Sequence, residues 1–364
     1  MAREFRRALG FLLAVAAVSL VAACAARGGG GGPQADPVQA AKHYREALRQ
    51  VEAGRIDAAL ASIDSSIAYK SGFANSYKLR GWLWERLDRP DSAIVAYEKA
   101  LRYRSAFPEV WRSLGYLNLS VGRYEAAIAY LRRTIQAMPD SAGLHLGLAE
   151  AAYRLQRYPL AFDHLRNYRR GAINPGPDYY KWLGLTHLAT EAYPAAIDAL
   201  TRYVERRPDD SAGHKYLGIA RFESGDLDGG MSALNRAAAL NRDDPGIYVV
   251  RSRYFFRVGK AETGWEQLEH ARTLDDGDPE VLFELGWRHF ETDQTDDARR
   301  YLTRVVERDS TFWRAYRYLG MVAERDGDLK RARELYTLYL NNTFREDRDV
   351  QDRLERIQAG AQKQ

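Results

Sequence analysis

Trp111-Arg-Ser-Leu-Gly115, followed by Ala127 and then Leu131, is the stretch that decides the fold of this 364-residue chain. Gly115 is the eighth residue of a unit that recurs about every 34 residues. The same slot holds Ala47, Gly81, Ala149, Gly184, Gly218, Ser252, Gly286 and Gly320 in the other eight copies. Twelve residues on, position 20 is again always small: Ala59, Ala93, Ala127, Ala161, Ala196, Gly230, Gly264, Ala298 and Ala332. Small residues at fixed spacing let the two helices of a hairpin approach closely, and the two slots are expected to face one another. A fixed period of such hairpins marks a stacked array.

Larger residues fill the space beside the small ones. Position 4 is His43, Tyr77, Trp111, His145, Tyr180, His214, Tyr248, Leu282 or Tyr316, and position 24 is Leu, Ile or Tyr throughout. Positions 20 and 24 share a helical face by their i, i+4 spacing. Polar or glycine-bearing turns such as Ser224-Gly-Asp-Leu227 separate the helices. Copies four and five are 35 residues apart, with the extra residue in Arg170-Gly-Ala-Ile-Asn-Pro-Gly-Pro177, which reads either as a loosened joint or as a longer rigid turn. Past the ninth copy, Val350, Leu354 and Ile357 form an apolar stripe on a charged segment, as a capping helix would.

These residues resemble the tetratricopeptide repeat, whose pattern reads W-x2-L-G-x2-Y, then A-x3-F, A and P. Trp111, Leu114, Gly115, Ala127, Leu131 and Pro139 carry the best match. Position 27 departs from it, with Tyr168, Tyr203 and Tyr339 where a small residue is expected, and these copies are expected to pack their neighbours differently. The resemblance implies an all-α, right-handed superhelical solenoid of nine helix-turn-helix repeats with a C-terminal capping helix. The divisions expected are 1–23 as a signal peptide, 24–38 as a Gly-rich tether, 39–345 as the repeats and 346–364 as cap and tail.

Arg3, Arg6 and Arg7 precede an apolar run from Leu9 to Ala26 that contains Cys24, the only cysteine. A basic start, a short apolar run and small residues make a secretory signal. Val21-Ala22-Ala23-Cys24 resembles a bacterial lipobox, which implies acylation of Cys24 and cleavage before it; an uncleaved membrane anchor is the alternative. Gly28 to Gly32 then serve as a spacer. Ala25 after Cys24 resembles the sorting pattern of outer-membrane lipoproteins, so the repeats are expected to face the periplasm. After cleavage the chain keeps 51 basic and 48 acidic residues, without a long basic run, and nucleic acid is not expected as a partner.

Signal, spacer, repeats and cap leave no room for a catalytic domain, so no enzymatic activity and no cofactor are expected. His43, His145, His214, His187 and His289 fall in slots that the family fills with aromatics, and His164 and His270 have no partner at ligand spacing. Asp275-Asp-Gly-Asp278 lacks the alternating ligands of a calcium loop and reads as a turn.

In the family the first helices line a concave surface, with positions 2, 5, 9, 12 and 13 toward a ligand. Position 5 is a cation in Lys78, Arg112, Lys181, Lys215 and Arg317, and position 9 in those copies is Trp82, Tyr116, Leu185, Ile219 and Met321. Phe283 and Trp287, with Arg253 one copy earlier, add the most concentrated apolar candidate, while Phe256 and Phe290 are assigned to the core. The expectation is a tethered protein–protein scaffold, an assembly factor or adaptor in the cell envelope, holding an acidic, partly hydrophobic segment of another envelope protein. A glycan-binding component of polysaccharide export is the alternative, because aromatic rings can stack on sugars.

Overall fold

In a computed structural model, which describes residues 35–139, 141–343 and 347–361, the described secondary structure is entirely helical. The signal, Cys24 and most of the tether lie outside the described residues. Two compact units are present, Met1–Gly171 and Ala172–Gln364.

The first unit holds α1 Pro37–Glu52, α2 Ile56–Tyr69, α3 Ala74–Arg86, α4 Pro90–Tyr103, α5 Pro108–Ser120, α6 Tyr124–Ala137, α7 Ala142–Arg154 and α8 Tyr158–Gly171. The second holds α9 Pro177–Ala189, α10 Tyr193–Arg206, α11 Ser211–Glu223, α12 Leu227–Leu240, α13 Pro245–Arg257 and α14 Ala261–Leu274. It continues with α15 Pro279–Glu291, α16 Thr295–Arg308, α17 Trp313–Arg325, α18 Leu329–Asn342 and α19 Arg348–Ala361. Odd and even helices up to α18 are the first and second helices of the nine copies, each packed chiefly on its hairpin partner and, within each unit, on the adjoining copies.

All eighteen small residues at positions 8 and 20 are buried. Position 8 lies under the side chain at position 24: a Cβ on Gly115 would come within 2.5 Å of Leu131, one on Gly184 within 2.6 Å of Leu200 and one on Gly286 within 2.7 Å of Leu302. Position 20 also meets position 12, Gly264 lying against the Phe256 ring. In the sixth copy, where both slots are glycine, they face one another: a Cβ on Gly218 would come within 3.2 Å of the Gly230 carbonyl oxygen and one on Gly230 within 3.1 Å of that of Gly218. Where position 24 is tyrosine, its hydroxyl donates to a glutamate at position 12, Tyr97 to Glu85 and Tyr336 to Glu324.

Each hairpin turns through one residue with positive φ at position 15. Five are glycine; the others are Asp88, Gln156, Glu191 and Asp293. The tyrosines at position 27 are accommodated by their neighbours: buried Tyr203 lies against Gly213, where a Cβ would come within 2.7 Å of its ring. Its hydroxyl donates to Asp210, and that of Tyr339 donates to Asp347. The cores of the first unit are local to one or two hairpins, whereas the largest core of the second runs from Ala237 to Ile357. Val350 and Ile357 close it, with Leu354 packed alongside, so α19 caps the array as its apolar stripe predicts. No helix among the described residues is long and apolar enough to cross a membrane.

Candidate functional site

Position 5 in several copies sits beside position 34, the residue just before the first helix of the next copy, or beside the equivalent residue before the capping helix. The contact is aromatic on aromatic between Tyr44 and Phe73 and between Phe283 and Phe312, with centroids 5.3 and 5.2 Å apart. Lys78 lies over the Phe107 ring at 4.9 Å. Lys215 reaches Asp244 at 2.7 Å, and Arg317 reaches Asp347 at 2.9 Å and Asp349 at 3.2 Å. Burial pushes the Asp210 carboxyl up, but hydrogen bonds from Tyr203 and from the Gly213 and Ala212 amides, with a smaller contribution from the Lys181 charge, outweigh it and hold the group below its ordinary range. Of the cations expected to await an acidic ligand, Lys215 and Arg317 therefore pair with carboxylates just beyond their own hairpins, Lys78 lies on an aromatic ring there, and Arg112 is exposed. A carboxylate is already the favoured N-cap at that point, and a cation beside it neutralises the charge.

Position 9 divides as well. Trp82 and Tyr116 are exposed, with Arg112 exposed one turn before Tyr116, while Leu185 and Met321 are buried. Phe283, expected to offer contact area, is 3% exposed and packs between Phe312 and Tyr318.

Within the second unit a cavity of about 500 Å³ brings together four of the expected residues, Arg253, Phe283, Trp287 and Arg317. Sequence reading missed much of its wall, including Arg257, Arg288, Arg314 and Tyr318, and placed Phe256 in the core although it lines the cavity. Lys78, Trp82, Arg112 and Tyr116 belong to the first unit, and Lys181 and Lys215 lie away from this cavity.

The cavity is built on an alternating chain of charges across three copies. Glu284 is fully buried and accepts from Arg253 Nε at 2.6 Å and from Arg288 Nε at 2.9 Å. Arg253 also reaches Glu280 at 3.2 Å, Glu280 holds Arg314 at 2.7 Å, and Arg288 holds Glu291 at 2.7 Å. Burial disfavours the Arg253 charge, yet the Glu284 and Glu280 carboxylates outweigh it and hold the guanidinium above its ordinary pKa. The guanidiniums lie over rings: Arg288 over Phe256 and Trp287 at 4.1 Å each, Arg257 over Phe222 at 3.9 Å and Arg314 over Phe283 at 4.6 Å. Burial also raises the Tyr318 hydroxyl pKa. The arrangement is a polar, aromatic-walled recess laced with ion pairs.

Histidine placement differs from expectation at one point. His164 has a partner, with its Nδ1 3.1 Å from Nδ1 of His145, and His270 packs edge-on against Tyr248 at 4.3 Å. No group of three or more His, Cys, Asp or Glu residues is placed to hold a metal among the described residues. Asp278 caps α15 through the Glu280 and Val281 amides, and Asp275 accepts from the Gly277 amide, so this acidic stretch is a turn and cap.

A tetratricopeptide-repeat model matches residues 44–109, 86–142, 112–177, 182–245 and 283–349, more than half of the chain. The chain belongs to the tetratricopeptide-repeat family. Its fold is similar to that of a tetratricopeptide repeat protein from Parabacteroides merdae, at 12% identity, 65% of this chain, 93% of that one and a TM-score of 0.52. It is also similar to the Cut9-Hcn1 heterotetramer of APC/C, at 11% identity, 87% and 76% coverage and a TM-score of 0.53. No curated protein matches by sequence. The tetratricopeptide fold supports a protein–protein interaction scaffold, and scaffolds of this family are typically not enzymes.

Proposed function

We propose that this tetratricopeptide protein is an exported scaffold, anchored by lipid on Cys24, that holds a segment of another envelope protein in the cavity of its second unit. Assembly or adaptor work for an envelope complex needs only such holding. The observation that carries the reading is the convergence of Arg253, Trp287 and Arg317 on one recess with Arg257, Arg288 and Arg314. Arginine and large aromatics are the side chains most often found as interface anchors. Arginines already cover one face of Phe222, Phe256 and Trp287, which leaves less ring surface for sugar stacking and favours a peptide with side chains that exchange ion pairs.

A photo-crosslinking residue in place of Trp287 or Tyr318, in cells expressing the full chain, is expected to capture one partner, while the same residue at Thr303 captures none. Equal capture at all three sites, or none, would reject the cavity. Mass spectrometry of the mature chain tests the tether separately: an intact residue 1 without lipid would reject it.

A further inference from the structure

The two units differ in charge. Residues 35–171 carry 21 basic and 14 acidic side chains, whereas residues 172–364 carry 29 and 34. The basic excess gathers on the side of the second helices opposite the buried positions 20, 24 and 27, formed by positions 22, 25, 26 and 29. In α4, α6 and α8 those positions supply Lys99, Arg102, Arg132, Arg133, Arg166 and Arg170, all exposed. Against them stand Glu98 and Asp163, and Asp163 is held by Arg166 at 3.3 Å. The same positions in the second unit carry Arg202, Arg236, Arg300 and Arg304 against Asp198, Glu205, Glu266, Glu269, Glu307 and Glu334. The arginine richness of the chain as a whole therefore does not account for the basic face.

We propose that the outward face of α4, α6 and α8 docks on an anionic membrane surface. The cations lie at matching positions on three successive second helices, on their solvent side, so they present a broad field to a surface and not a groove for a chain. Juxtamembrane basic clusters are drawn to anionic lipid, and the attraction adds with each residue near the surface. The unit that carries the face is also the one joined directly to residues 24–36, which by length alone reach at most roughly 45 Å. This placement rests on the tethered reading above, but the binding surface itself does not.

The test uses residues 35–364, which keep every helix and core cluster described above, with vesicles of phosphatidylcholine alone or mixed equally with phosphatidylglycerol. Cys24 is absent from this chain, so the result reads the face and not acylation. The chain is expected to sediment with the mixed vesicles, to release as salt rises and to ignore phosphatidylcholine alone. Combining Arg102→Gln, Arg132→Gln, Arg133→Gln and Arg170→Gln should weaken partitioning by about tenfold or more. Combining Arg202→Gln, Arg236→Gln, Arg300→Gln and Arg304→Gln should leave it unchanged, with both variants folded by circular dichroism. Absence of binding to mixed vesicles, equal binding to neutral ones, or equal loss in both variants overturns the proposal. So does a chain that ignores vesicles and uses the same four arginines to self-associate or to hold an oligonucleotide.

Discussion

Lys215 Nζ lies 2.7 Å from a carboxylate oxygen of Asp244, whose other oxygen accepts from the Gly246 amide at the start of α13. One residue thus caps a helix and clasps the preceding copy. Both side chains are only about one-fifth exposed, so screening by water is less than at a surface pair. Asp244→Asn keeps a good N-cap while removing the charge. A double-mutant cycle of Asp244→Asn with Lys215→Met is expected to give a coupling of about 1 kcal/mol in urea unfolding, at the upper end for exposed pairs. A coupling of zero would mean that the clasp is only geometric.

Gly115 has no room for a side chain, since its Cβ would lie 2.5 Å from Leu131 Cδ2. Gly115→Ala should cost about 1–3 kcal/mol through overpacking. Adding Leu131→Ala empties the contested space, and the double variant should lose less than the sum of the two single losses. An additive double variant, or Gly115→Ala unfolding at the same midpoint as Lys330→Ala, would break the assigned contact.

The fold was legible because its signal is periodic: nine copies of Gly115 and Ala127 average out local noise, and Val350, Leu354 and Ile357 repeat the helical spacing once more. What the small residues touch was less legible, since spacing along the chain does not say that position 8 lies under position 24. The cavity was only half legible. Arg253 and Trp287 stood out as residue types, but Arg253 meets Glu280 and Glu284 across 27 and 31 residues, and these pairs occur in one part of the array. The one local trace was Glu280, Glu284, Arg288 and Glu291 along a single helix, charged residues at helical spacing on an otherwise mostly apolar segment. Lys215 and Arg317 looked like free cations because their partners lie about thirty residues on, at the start of the next copy for Lys215 and of the capping helix for Arg317.

Glu284 is the centre of the recess, with both oxygens engaged by arginines and no exposure to solvent. Glu284→Gln keeps the shape but leaves two guanidiniums short of one charge, and removing one partner of a buried ionic group typically costs about 3–5 kcal/mol. Glu291→Gln, at a half-exposed member of the same chain, should cost well under 1 kcal/mol. Urea unfolding of the two variants decides the order, and equal losses would mean that water reaches Glu284.

The His145–His164 pair is expected to make the fourth hairpin sensitive to acid. The ring centroids are 5.4 Å apart with the Nδ1 atoms 3.1 Å apart, so the nitrogens point at each other and only one can carry a hydrogen in the neutral pair. Burial, then His145 and Arg132, depress His164 to about 4, with Asp163 opposing them. Burial lowers His145 as well. A histidine depressed in the folded state binds fewer protons than in the unfolded chain, whose value is near 6.5. The stability it contributes is therefore complete above about pH 6.5 and is lost as pH falls toward about 4. Because carboxylates also titrate in the lower part of this window, the measurement is a difference: urea midpoints from pH 7 to pH 4 for the wild type and for His164→Phe. The wild type should fall more steeply, with the gap opening below about pH 6.5. Parallel curves would show that His164 takes up its proton without disturbing the hairpin.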